Sequence, residues 1–170
     1  ALLLTLAQAL QQNPTPHPVS LVFFDGEDFG TKGSVEYLLG SKYYAKQLGR
    51  KNSFPKPSAV LIVDMVGDRE LEIYRESYSM KNAPNLMDGV FSIAQNKYGL
   101  SQFKDEVKYS VLDDHMPFNL LGIPAILLID FDYPYWHTLQ DTPENCSEES
   151  LKIVGNVMCE FIYRKNYENK

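Results

Sequence analysis

The chain has 170 residues, a formal net charge of -6, and a composition that is 44% hydrophobic and 22% charged. That is enough chain for one domain with its own core, and too apolar for a disordered segment. With no basic block it lacks the usual footprint of a nucleic-acid binder, and no apolar run reaches the length of a membrane span.

The opening ALLLTLAQAL is short and apolar, with no basic n-region, cleavage-site signature or initiating Met, so it does not read as a signal peptide. Leu3, Leu6, Ala7 and Leu10 fall on one face, which predicts an amphipathic helix over residues 1–12, entered partway as in a fragment of something longer. NPTPHP (13–18) stops that helix, and His17 within it reads as an exposed loop residue. Val19–Phe24 is a continuous apolar run, predicted to be a strand buried on both faces. It ends in Asp25-Gly26-Glu27-Asp28, three carboxylates within four residues beside a core. Their mutual repulsion and desolvation must be offset by something.

GTKGS (30–34) reads as a loop and Ser34–Leu48 as a helix with Val35, Leu38, Leu39 and Ala45 apolar, followed by a polar loop over 49–58. Ala59–Met65 is a second buried strand, Glu70–Tyr74 a possible third, and Pro84–Tyr98 a helix with proline in its first turn. DDHMPFNLLGIP (113–124) is a loop leading into a short helix, and Ala125–Asp130 is another buried strand. FDYPYWHTLQDTPEN (131–145) is a long aromatic-rich loop. Ser147–Tyr163 is the last helix, with Ser147 as N-cap and acids in the first turn. Strands separated by helices imply one α/β domain over 1–170, layered around a mostly parallel sheet. Cys146 and Cys159 form no metal motif and read as free thiols, a disulfide being the minority alternative. Asn145-Cys146-Ser147 fits a glycosylation sequon, a pattern that arises often by chance.

Ligands of such sheets bind outside the carboxyl ends of the strands. Three apolar runs end there in acids, at Asp25–Asp28, Asp64 and Asp130, which would gather on one edge. A bound cation is the simplest way to offset their repulsion. His137 lies in the loop that leaves the last strand at that edge, which makes it a candidate ligand beside Asp28. Adjacent Glu27 and Asp28 can divide the work, one carboxylate on a metal and the other facing substrate as a base. The plainer alternative is a pair of solvated loop acids.

The segments FFDGED…GS, LIVDMVGD, DDHMPF…GIPAILLI and YPYWHTLQDT, in that order, resemble the zinc aminopeptidase and glutaminyl cyclase family of metalloenzymes over nearly the whole chain. The resemblance implies a three-layer α/β sandwich, with a mostly parallel central mixed sheet flanked by helices and the first strands absent from this chain. It implies Glu27 as general acid/base, and Asp28 and His137 as zinc ligands. Asp64 is a second-metal ligand in the two-zinc aminopeptidases and a substrate or supporting group in the one-zinc cyclases. Asp113 and Asp114, before His115, orient the catalytic carboxylate or the substrate amine. A peptide or protein N-terminus is the implied substrate, and secretion, the periplasm or the secretory pathway the implied location.

Two departures stand out. The family usually has Glu where this chain has Asp28, so ligation requires the backbone to come closer by roughly 1.5 Å, one carbon–carbon bond. A family zinc-binding Asp that precedes the helix resembling residues 1–12 has no counterpart here, which leaves two protein ligands where a catalytic zinc takes three. Within the family, FFDGE followed by YLLGSKYYAKQL, together with DDHMPF and Trp136-His137-Thr138, resembles the glutaminyl-peptide cyclotransferases most. That branch implies one zinc, a pocket walled by Trp136 with Phe131 and Tyr133 nearby, and conversion of N-terminal glutamine to pyroglutamate. A two-zinc aminopeptidase and an inactive peptide-binding module are the alternatives.

Overall fold

In a computed structural model of the chain, residues 1–30, 36–50 and 55–164 are described. Residues 31–34 of the loop expected at 30–34, the start of the helix expected at Ser34 and part of the loop at 49–58 lie outside them.

The order is α1 (Leu2–Gln12), α2 (Leu39–Leu48), β1 (Val60–Asp64), β2 (Ile73–Glu76), α3 (Ser77–Asn82), α4 (Pro84–Ser92), β3 (Phe103–Tyr109), α5 (Met116–Asn119), β4 (Ala125–Ile129) and α6 (Glu148–Tyr163). A π-helical turn, Ile93–Lys97, extends α4, and a 3-10 turn, Pro143–Asn145, precedes α6. Ser147 caps α6 as expected, its hydroxyl accepting from Ser150 N at 3.3 Å. The buried residues of α1 are Leu2 and Leu6, while Ala7 faces solvent, so the apolar stripe is rotated from the one expected.

The strands form two parallel pairs, β1 with β4 and β2 with β3. Register runs from Val60 opposite Ala125 to Asp64 opposite Ile129. β4 is buried along its whole length. Its Ile126 and Leu128 pack with Leu6, Phe91, Val154 and Val157 from α1, α4 and α6. Ala125 faces the other way onto Ala45, Leu48 and Phe118, from α2 and α5. The period-2 alternation of a strand thus puts helices on both faces, which is the three-layer arrangement.

Two expectations change. Val19–Phe24 joins no strand ladder among the described residues. Leu21 and Phe24 still pack onto the two cores, but Phe23 is 63% exposed. Apolar side chains without a neighbouring backbone to bond do not make a strand. β3, which composition does not suggest, is a strand whose middle residues Asp105–Lys108 are exposed.

Candidate functional site

The acidic turn after Phe24 is built by the backbone. Gly26 takes φ of 65° and donates its amide to Asp25 Oδ1 at 2.8 Å. Leu38, Leu39 and Gly40 N then donate in succession to the carbonyls of Glu27, Gly26 and Asp25, at 3.0, 3.1 and 2.9 Å. Asp25 thus bonds within the turn itself, and Glu27 and Asp28 are presented on a turn clamped to the start of α2.

Asp28 meets His137: Oδ2 lies 3.1 Å from Nε2, with both side chains more than half exposed. The two residues are 109 apart in sequence. The indole of Trp136 stacks on the His137 ring at 4.4 Å, and Phe131 continues the aromatic wall 5.2 Å from Trp136. Asp28, Gly30, Tyr37, Val111, Leu112, Phe131, Trp136 and His137 line a cleft of about 440 Å³. Tyr133 instead reaches Asp141, its hydroxyl 2.8 Å from Oδ1, and is not among the lining residues.

Glu27, Asp64, Asp113 and Asp114 do not line the cleft, but as a group lie close enough to its Asp28 and Tyr37 for their charges to interact. Burial, against a lowering hydroxyl from Tyr37 and with the charges of Asp28 and Asp114, pushes Glu27 up to about 7. Burial, joined by Asp64, Asp114 and Glu27, pushes Asp113 up to about 8. Asp64 and Asp114 are also raised, chiefly by burial. Among the described residues, three non-glycine residues have positive φ, Leu38 (59°), Met65 (49°) and His137 (57°). Each belongs to the site or follows one of its residues, Tyr37 and Asp64, as strained backbone at functional sites often does.

Asp130 does not join this group. It sits one residue beyond Ile129, the partner of Asp64, and so turns to the other side of the strand. There its carboxylate accepts Glu72 N at 2.8 Å and Asp132 N at 3.2 Å. His17, exposed as expected, lies against α6 with Nε2 3.3 Å from Ile162 O. Both cysteines are free.

The chemistry of the pair suits zinc. Two donors of a tetrahedral zinc, each about 2.0–2.2 Å from the ion, stand roughly 3.3 Å from one another, and Asp28 Oδ2 and His137 Nε2 are already near that spacing. Aspartate therefore reaches far enough here despite its shorter side chain. Among the described residues no third His, Cys, Asp or Glu joins them in a metal-binding group.

A model of peptidase family M28 matches residues 1–162. The chain belongs to that family. It is 27% identical over 168 residues to glutaminyl-peptide cyclotransferase of Gloydius blomhoffii, covering 85% of this chain and 44% of the relative. Among solved structures, Tannerella forsythia glutaminyl cyclase superposes with a TM-score of 0.84 at 30% identity, over 97% of this chain and 61% of that one. A leucine aminopeptidase precursor from Bacteroides thetaiotaomicron superposes with a TM-score of 0.88 at 28% identity, over 97% and 59%. The chain thus spans about half the length of the curated relatives it matches. As an M28 chain it carries the α/β layering that the four sequence segments imply.

Sequence reasoning did not single out Tyr37, whose hydroxyl donates to Leu112 O at 3.0 Å and faces Glu27. Nor did it single out Val111 and Leu112 as cleft walls. Tyr37 reads as one more aromatic at the start of a helix, and the two apolar residues carry no chemical signal.

Proposed function

We propose that the whole protein is a zinc-dependent glutaminyl-peptide cyclotransferase, which converts an N-terminal glutamine to pyroglutamate with release of ammonia. The observation that carries the reading is Glu27, with a carboxyl poised at about 7, beside the Asp28–His137 pair in a cleft walled by Trp136 and Phe131. Similarity to glutaminyl-peptide cyclotransferases in both sequence and structure supports it.

Asp28 and His137 would hold the zinc, together with a ligand contributed from beyond the described residues. Bound there, the metal would polarise the side-chain amide carbonyl of the substrate glutamine. Glu27 takes a proton from the attacking α-amine and delivers it to the leaving ammonia, two transfers for which a carboxyl near neutrality is suited. Asp113, protonated at neutral pH, donates a hydrogen bond to Glu27 or to the amine, and Asp64 and Asp114 hold the amine. Trp136 and Phe131 exclude water and pack the glutamine stem. A carbon–nitrogen bond forms as another breaks and no water is consumed, so the reaction is a transfer rather than a hydrolysis.

Ammonia release from a Gln-initiated peptide by the zinc-loaded whole protein tests this. Free amino acid released from Leu- or Ala-initiated peptides, with no ammonia from the Gln peptide, would replace it with an aminopeptidase. The similarity to a leucine aminopeptidase precursor favours that second reading. In it Glu27 would act as the base toward water and Asp64 would help hold a second zinc.

A further inference from the structure

Glu76 is a carboxylate buried to 1% exposure, outside the cleft and unused by the chemistry above. It ends β2 and caps α3, accepting Tyr78 N at 2.9 Å and Ser79 N at 2.7 Å. Capping alone does not explain it, since Asp, Asn, Ser or Thr are the residues that cap best. The extra methylene of Glu lets the same carboxylate reach further. Its Oε1 also accepts Val111 N at 3.1 Å, and its Oε2 lies 3.3 Å from Nε2 of the fully buried His115, off the line of a hydrogen bond.

Val111 and His115 are the two ends of a five-residue segment, and Asp113 and Asp114 lie between them. One carboxylate therefore ties the Val111 end of this segment by a hydrogen bond and lies directly against its His115 end. Irregular register delivers it: β2 and β3 slip between Tyr74 and Arg75 and again between Arg75 and Glu76, which leaves Tyr109 opposite Glu76 and Val111 two residues on. Ser79 completes the anchor. Its hydroxyl donates to Glu76 Oε2 at 2.8 Å and accepts Leu127 N, from the middle of β4, at 3.0 Å. The frame of the carboxylate is thus the sheet itself. The segment is held on its cleft side by Tyr37, through Leu112 O.

We propose that Glu76 and His115 are positioning residues, which fix the Asp113–Asp114 segment to the sheet and so set Asp113 against Glu27 and the substrate amine. This rests on the function proposed above. Holding a reacting group within a fraction of an ångström matters because a misplacement of about 1 Å can cost roughly 100-fold in rate.

The test uses the zinc-loaded whole protein and compares wild type with Glu76→Gln, His115→Gln and the double variant. Zinc content, the fraction folded, kcat and KM are measured for each on a Gln-initiated peptide and a Leu-initiated peptide. The proposal expects kcat to fall about 10- to 100-fold in each single variant, with KM within threefold and zinc content unchanged. The double variant should fall little further than the worse single one, because the two residues act on one segment. A folded Glu76→Gln protein with kcat within twofold of wild type overturns it, as does a loss no larger than the unfolded fraction. If Glu76→Gln does not fold, His115→Gln decides on the same criteria. A wild type inactive on both peptides removes the proposed function, and this role with it. An active wild type with unaffected variants removes only the role.

Discussion

Gly40 lies against the backbone of Asp25, so close that a Cβ on it would stand 2.7 Å from both Asp25 N and Asp25 O. Its own amide bonds Asp25 O at 2.9 Å. The acidic turn and the start of α2 are in effect one piece, and only glycine permits the approach. Gly40→Ala must therefore push the turn away or break its ladder to α2. The expected cost is about 1–3 kcal/mol, read from urea denaturation. Zinc affinity should fall with it, because Asp28 rides on the turn. A variant with the wild-type midpoint and unchanged zinc binding would mean that the turn is not held by this contact.

Glu27→Gln separates the two adjacent acids. The variant should keep zinc and lose turnover by roughly 10²- to 10⁴-fold, the usual worth of a positioned proton acceptor. Zinc analysis on the purified variant is the deciding measurement: loss of metal would show that Glu27, not Asp28, is the ligand. The pH profile carries the same assignment. Glu27 acts as a base only when ionised, and its carboxyl sits at about 7, so kcat/KM should climb with pH on an acid limb. The positive charge of a bound zinc favours the ionised form and moves that limb below about pH 7.

Asp28→Ala and His137→Ala each remove one arm of the pair that already stands at ligand spacing. Each should weaken zinc by more than the 10- to 100-fold that loss of an outer partner costs, as measured by competition with a chelator of known affinity. Trp136→Ala, which removes a ring stacked on His137 without removing a donor, should weaken zinc by less than either. Equal losses in all three would make the aromatic wall, rather than the donor atoms, the determinant of metal binding.

The juxtaposition of Asp28 with His137 was more legible in the sequence than the strand pairing. Asp28 and His137, picked out as polar groups after apolar runs and as what the resemblance implies, do stand together, with Glu27 and Asp64 close enough for their charges to act on the same group of acids. Asp130 obeys the same rule and still points elsewhere, because side-chain parity depends on where each strand stops, and Asp64 is level with Ile129 rather than with Asp130. Phe103–Tyr109 was hidden by its own polarity, with Lys104, Asp105, Glu106 and Lys108 in seven residues. Val19–Phe24 is the converse, an apolar run that joins no ladder among the described residues. Strand formation depends on a partner backbone, which composition does not encode. Tyr37, Glu76 and His115 were out of reach for another reason. Their roles come from contacts made across 35 to 75 residues of chain, and each residue type is common in structural positions.

Asp113 offers a test of stability against function. Its carboxyl is buried among Asp64, Asp114 and Glu27, and it holds its proton up to about pH 8. In the unfolded chain an aspartate ionises near 3.9. Between these values the native state binds the additional proton, so unfolding becomes easier as pH rises. Its contribution to stability is whole below about pH 4, falls as pH rises through the window between the two values, and is gone above about pH 8. Asp113→Asn mimics the protonated form at every pH, and its side-chain oxygen can still accept Asp114 N. Urea denaturation in the presence of chelator should find the variant level with wild type at pH 4 and more stable by roughly 1–2 kcal/mol at pH 9. Turnover should drop in the same variant, because an amide N–H is a weaker donor to the ionised Glu27 than the carboxyl O–H it replaces. A variant less stable than wild type at pH 9 would mean that the ionised carboxylate is welcome where it lies, and that Asp113 does not serve as the proton-holding partner of Glu27.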